Sequence, residues 1–148
     1  MRKLIVILIF SSLLGCKAGQ VTQGDSLVIS MKKTPCMGPC PDFDLNIYKN
    51  GFVELAARQH LDLKGKFTSS VSQEYLDALI GKFEENNFAS FEDAYITNKT
   101  DLPTTFITYQ KEGFKKKIED YDGAPKALKD LEKAVAALIS ELKWKAVK

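Results

Sequence analysis

Residues 42–57 read Asp-Phe-Asp-Leu-Asn-Ile-Tyr-Lys-Asn-Gly-Phe-Val-Glu-Leu-Ala-Ala, and this stretch decides the fold. Apolar and polar side chains alternate on both sides of Asn50-Gly51, which is typical of two half-buried strands joined by a tight turn. A two-residue turn places Ile47 opposite Glu54, whereas a three-residue loop with a left-handed Gly51 makes one face wholly apolar. Because a slip of one residue moves every side chain to the other face, we predict the second register. Its pairs are Ile47 with Val53, Leu45 with Leu55 and Phe43 with Ala57.

Other segments predict further strands and two helices. Ser72 is an N-cap for a helix that ends near Asn86, and Gly123-Ala124-Pro125 starts a second helix with an apolar stripe. The predicted strands are 27–31, 60–68, 104–110 and 114–121, with the register of the last two left open. The fold class is therefore α+β: residues 26–148 form a single domain with a mostly antiparallel sheet of four to six strands and two helices on one face.

Charge argues against one class of partner. The 148 residues include 21 basic and 19 acidic side chains. Arg2 and Lys3 account for the excess, so the remainder of the chain is close to neutral. Because nucleic-acid binding depends on a clear basic surface, we predict no nucleic-acid partner.

The N-terminus carries a targeting pattern. Met1-Arg2-Lys3 precedes an apolar run over 4–14, and the run closes with Leu13-Leu14-Gly15-Cys16. This run is shorter than the ~20 residues that span a bilayer, which indicates a signal segment that is removed. The pattern resembles the lipobox of bacterial lipoproteins. That resemblance implies that residues 1–15 are a signal peptide, that Cys16 receives diacylglycerol and a further acyl chain, and that the protein is lipid-anchored in the cell envelope.

The lipobox also implies a partner and a location. Residues 16–25 are polar and rich in turn formers, which predicts a short lipidated tether to the membrane. Lys17 rather than Asp follows the lipidated cysteine, and by resemblance to the enteric sorting rule this favours the outer membrane over the inner one. An envelope protein is a further candidate partner.

The two remaining cysteines, Cys36 and Cys40, flank a Gly-Pro turn. An even pair in an oxidising compartment suggests a disulfide. Redox-active thiols and copper binding are the alternatives, since Cys-x-x-x-Cys-Pro also occurs in thioredoxin-like copper chaperones of the envelope. Pro41 favours extended backbone at Cys40, and His60 is the chain's one histidine. We therefore favour a structural disulfide and predict no metal site and no cofactor.

Four residues form a candidate polar site: Asp101, Thr104, Asp120 and Asp122. Clustered carboxylates can bind a cation or act as acid and base, although aspartates also suit turns. The chain has neither a Gly-x-Ser-x-Gly elbow nor a phosphate-binding glycine loop. We therefore predict no catalytic residue and favour a non-enzymatic binding or interaction domain. A hydrolytic enzyme stays open, as does thiol–disulfide or copper chemistry.

Three segments together resemble a known family. They are Cys36-Met-Gly-Pro-Cys40-Pro41, Asp101-Leu-Pro-Thr-Thr105 and Asp120-Tyr-Asp-Gly-Ala-Pro125. Their order and spacing resemble a domain of unknown function found in bacterial secreted proteins and lipoproteins, over roughly residues 26–140. The family has no established activity. The resemblance implies the domain boundaries and the pairing of Cys36 with Cys40.

Overall fold

The structure, a computed structural model, describes residues 26–148. Over this range the chain forms one mixed sheet of eight strands and two α-helices. The α+β class is confirmed, and the predicted four to six strands are too few. The strands are β1 Leu27–Lys33, β2 Asp42–Tyr48, β3 Phe52–Gln59, β4 Gly65–Ser70, β5 Ala94–Tyr95, β6 Thr105–Lys111, β7 Phe114–Asp120 and β8 Lys145–Ala146. The helices are α1 Gln73–Glu85 and α2 Lys126–Glu141.

The two unpredicted strands lie at the two edges of the sheet, whose order is β5-β7-β6-β1-β2-β3-β4-β8. Each has only two residues, which is too short to show an alternating pattern in the sequence. β5 runs parallel to β7, so the sheet is not purely antiparallel. β8 pairs with β4 directly after Trp144, whose indole N–H donates to the Ile139 carbonyl at 2.9 Å.

The hairpin of β2 and β3 has the predicted register. Ile47 pairs with Val53, Leu45 with Leu55 and Phe43 with Ala57, and all six side chains are buried. Gly51 has a φ of +80°, and a Cβ at this position would lie 2.5 Å from the Val71 carbonyl oxygen. Glycine is therefore required here both by the backbone conformation and by the close approach of the segment between β4 and α1.

Both helices begin close to the residues that the sequence indicates. The Ser72 hydroxyl accepts the Tyr75 N–H at 3.2 Å and caps α1, while Pro125 directly precedes α2. Burial alternates along β2 and β3, so one face of this central hairpin is covered. The helices and the covered face share one core, to which the helices contribute Leu76, Leu79, Phe83, Leu128, Leu131, Val135 and Leu138.

The second hairpin turns at Glu112-Gly113, with Lys111 opposite Phe114. In the described chain β5 pairs only with Glu119 and Asp120 of β7, which leaves the neighbouring edge along 115–117 open. These three lysines therefore lie where positive charge discourages stray strand pairing. The strand that we predicted over 60–68 begins later, at Gly65, because His60 adopts a left-handed conformation in the preceding loop.

Candidate functional site

Three strands end in a row of polar residues. Lys33 at the end of β1 pairs with Thr105 at the start of β6, and Thr105 pairs with Asp120 at the end of β7. Since side chains alternate between faces, all three share the face of the buried Met31, Ile107 and Ile118. The topology thus closes the apolar core at this end with a lysine, a threonine and an aspartate.

Helix α2 completes a buried carboxyl pair at this row. Asp120 is 1% exposed and Glu132 is 7% exposed. Lys129 lies on the same face of α2 as Glu132, its ammonium contacts Asp120 Oδ2, and it lies 3.8 Å from Glu132 Oε2. Lys129 therefore neutralises the charge of Asp120.

One proton shared between the two carboxyl groups would give their buried oxygens a hydrogen bond. Apart from the ion pair with Lys129, both oxygens of Asp120 and Oε1 of Glu132 have no hydrogen-bond partner within residues 26–148. Burial, followed by the interaction with Asp120, raises the pKa of Glu132 to about 8, whereas the charges of Lys129 and Lys33 oppose the rise. These effects favour the neutral form of Glu132, whose proton would satisfy the Asp120 carboxylate.

A pocket of about 330 Å³ opens beside this pair, between α2 and the strand ends. Its apolar wall comes from β1, from the loop before β6 and from α2, and its charged groups are mainly lysines. The lining residues are Met31, Lys33, Leu102, Pro103, Thr105, Tyr121, Asp122, Lys129, Glu132, Lys133 and Ala136.

The four sequence-predicted polar residues divide around this pocket. Asp122 lines it, and Asp120 lies behind Lys129. Asp122 accepts the Thr97 hydroxyl at 2.7 Å and pairs with Lys99 at 2.9 Å, and these contacts hold its pKa below the usual value. Asp101 is exposed in a left-handed conformation, and Thr104 bonds to Thr34 in the cysteine loop, residues 34–41 between β1 and β2. Neither Asp101 nor Thr104 lines the pocket.

Four charged residues that line the pocket were missed from the sequence: Lys33, Lys129, Glu132 and Lys133. Glu132 carried a usable signal, because it follows Leu128 by four residues and precedes Val135 by three, on the buried stripe of α2. A carboxyl group at a core position indicates either a partner or a perturbed pKa. The sequence pattern around the three pocket lysines gave no comparable indication of a site.

The cysteine loop is fastened to the same end of the sheet. The Thr34 N–H donates to the Thr104 carbonyl at 3.0 Å, and the Thr104 N–H donates back to the Thr34 hydroxyl at 2.9 Å. Cys36 and Cys40 form a disulfide with a Cα–Cα distance of 5.6 Å, as expected. The Gly38 N–H donates to Cys36 Sγ at 3.2 Å.

A second pocket, of about 360 Å³, is lined in part by His60, Pro41 and Lys33. Among residues 26–148 no group of three or more His, Cys, Asp or Glu side chains is placed to hold a metal ion. In the same range no helix is long and apolar enough to cross a membrane. The predicted signal peptide, the lipidated Cys16 and the tether over 16–25 lie outside the described residues.

No curated protein shows significant similarity to the chain. The family described as Domain of unknown function (DUF6438) matches residues 27–139, from the first residue of β1 almost to the end of α2. The matched range contains the disulfide and every residue that lines the 330 Å³ pocket. The chain therefore belongs to the DUF6438 family.

Proposed function

We propose that this protein is a lipoprotein of the bacterial cell envelope that presents a non-enzymatic binding domain, pinned locally by a structural disulfide. One observation carries the proposal: the Cys36–Cys40 disulfide occupies two of the three cysteines, and the third, Cys16, directly follows the apolar leader. Disulfides persist in exported proteins, and a lipid-modified cysteine would hold the domain at the membrane.

The geometry of the carboxyl pair supports binding over acid–base catalysis. A catalytic acid or base must reach the substrate within hydrogen-bond distance. The side chain of Asp120 has no exposed surface, and Lys129 covers it. Burial and the Asp120 carboxylate favour the neutral form of Glu132, so the pair keeps this end of the core close to neutral.

The location within the envelope follows from the lipid anchor. Lys17 next to Cys16 favours the outer membrane, and acyl chains at Cys16 would make the bilayer the first partner. The tether over 16–25 would keep the domain close to the membrane surface, within reach of other envelope proteins.

Membrane fractionation of a bacterium that expresses the full chain tests this proposal. We expect the wild-type chain in the membrane fraction, resistant to a high-salt wash, and the Cys16→Ser variant released from it. The matched control replaces both Cys36 and Cys40 by serine and should stay with the membrane. Retention of the Cys16→Ser variant, or wild-type chain in the cytosol with its leader intact, would overturn the proposal.

One contact favours the alternative function, thiol–disulfide exchange or copper handling. The Gly38 N–H that donates to Cys36 Sγ would stabilise a thiolate at this position, and thiolates are the reactive form of cysteine. Equilibration with thiol buffers separates the two functions. A reduction potential below about −300 mV is expected for a structural bond, and a more oxidising value would favour the redox role.

A further inference from the structure

We propose that the 330 Å³ pocket between α2 and the ends of β1, β6 and β7 binds a small organic carboxylate, with the Lys33 ammonium as its main charged contact. This inference deepens the proposed binding role and rests on it, because it names the site and the chemical class of its ligand.

Lys33 has no direct ion pair among the described residues, although its charge acts on the Glu132 carboxyl group. It is half-buried at the end of β1, and within residues 26–148 its ammonium forms no hydrogen bond and no ion pair. The polar row continues through Thr105 to Asp120, but Lys129 already occupies the Asp120 carboxylate. A partly desolvated ammonium without a partner costs free energy, which an anionic ligand would offset.

Most of the other charges around the pocket are paired with each other, so Lys33 leaves the pocket with a net positive charge. Lys129 is neutralised by Asp120, and Asp122 is neutralised by Lys99. Burial and the Asp120 carboxylate raise the pKa of Glu132, which favours its neutral form. Lys133 is mostly exposed and lies 3.9 Å from Asp130, so its charge is only weakly compensated. The pocket therefore attracts an anion.

The wall of the pocket selects an organic anion of small size. Met31, Leu102, Pro103 and Ala136 provide an apolar surface for a carbon skeleton. The volume of about 330 Å³ lies at the low end of the ~300–1,000 Å³ typical of ligand sites, which suits a short carbon chain. A lysine ammonium is a point charge that attracts carboxylate and phosphate alike, so the apolar wall provides the discrimination.

A titration of the full chain in detergent micelles, whatever the state of Cys16, tests the proposal. Backbone amide chemical shifts are followed while butyrate is added, and inorganic phosphate is titrated in a second arm. We expect saturable shifts at Lys33, Leu102, Thr105 and Ala136, with a dissociation constant of about 1–10 mM for butyrate. Phosphate, which cannot use the apolar wall, is expected to bind more weakly.

Three variants test whether the Lys33 ammonium is the charged contact of the ligand. Lys33→Gln is expected to weaken butyrate binding about fivefold or more, which is about 1 kcal/mol. Lys33→Arg keeps the charge and should retain binding, while Lys64→Gln, at an exposed lysine between β3 and β4, should leave it unchanged. Well-dispersed amide spectra of each variant show that it is folded.

Equal affinity in wild type and Lys33→Gln, or no saturable shift up to about 50 mM butyrate, would overturn the proposal. Tighter binding of phosphate than of butyrate would overturn the carboxylate assignment. The titration reports on the pocket and does not depend on how Cys16 is processed. Its failure is therefore distinguishable from a failure of the envelope assignment, which the fractionation of Cys16→Ser measures separately.

Discussion

Glutamine in place of Glu132 should remove most of the dependence of the domain's stability on pH. The folded protein holds a proton on Glu132 with a pKa of about 8, whereas the ordinary value is 4.5. A raised pKa for an acid means that the folded state binds more protons than the unfolded state between these two values. The stabilisation is therefore complete below about pH 4.5 and is lost as the pH rises to about 8.

The size of the change in stability follows from the difference between the two pKa values of Glu132, 4.5 and about 8. Each unit of pKa corresponds to about 1.4 kcal/mol, so the full interval sets a ceiling of about 5 kcal/mol. Lys129 and Lys33 favour the ionised form of Glu132, so the observed effect should be smaller than this ceiling. We expect the free energy of unfolding of the wild type to fall by about 2–3 kcal/mol between pH 5 and pH 9.

Urea denaturation at several pH values is the assay. The amide of Glu132→Gln can still donate to Asp120 and does not ionise, so its free energy of unfolding should change by less than about 1 kcal/mol over this range. At pH 9 the variant should be more stable than the wild type. Glu85→Gln, at the exposed end of α1, is the matched control and should follow the wild type. A wild type without this slope, or a Glu132→Gln variant that keeps it, would refute the shared-proton reasoning.

Three further predictions concern the fold. Gly51→Ala should destabilise the domain by about 2 kcal/mol or more in thermal unfolding, because the new Cβ meets the Val71 carbonyl oxygen at 2.5 Å. Gly113→Ala, also at positive φ but with no atom within 4 Å of its Cβ, should lose only about 1 kcal/mol, and equal losses would contradict this account. Leu45→Ala, at a fully buried position in β2, should lose about 3–4 kcal/mol in urea denaturation, and a loss below about 1 kcal/mol would mean that β2 is not in the core. Double replacement of Cys36 and Cys40 by serine should cost only about 2 kcal/mol, because the closed ring is short, and a failure to fold would show that the disulfide does more than restrain its loop.

The sequence predicts the β2–β3 hairpin and the two helices because their signals are local. Alternation on both sides of Gly51 fixes one register, and Ser72 and Pro125 mark where the helices begin. The edge strands β5 and β8 could not be predicted, because two residues have no periodicity and their pairing depends on where distant strands lie.

The residues of the pocket show a different limit of prediction from the sequence. Asp120 and Asp122 could be named from the sequence, since aspartates at a strand end are visible as a motif. Lys33 could not, because it shares a row with Asp120 only through the pairing of β1 with β6 and of β6 with β7, and β1 is distant from both along the chain. Glu132 joins them only because α2 packs over this end of the sheet. Each contact is long-range, and no spacing in the sequence encodes it.

Intact-mass spectrometry of the protein purified from bacterial membranes tests the central claim most directly. We predict a chain that begins at Cys16, carries the added mass of diacylglycerol and an acyl chain, and has no thiol that reacts before reduction. A chain that begins at Met1 with an unmodified Cys16, or two freely reactive thiols at Cys36 and Cys40, would contradict the assignment of this domain to the cell envelope.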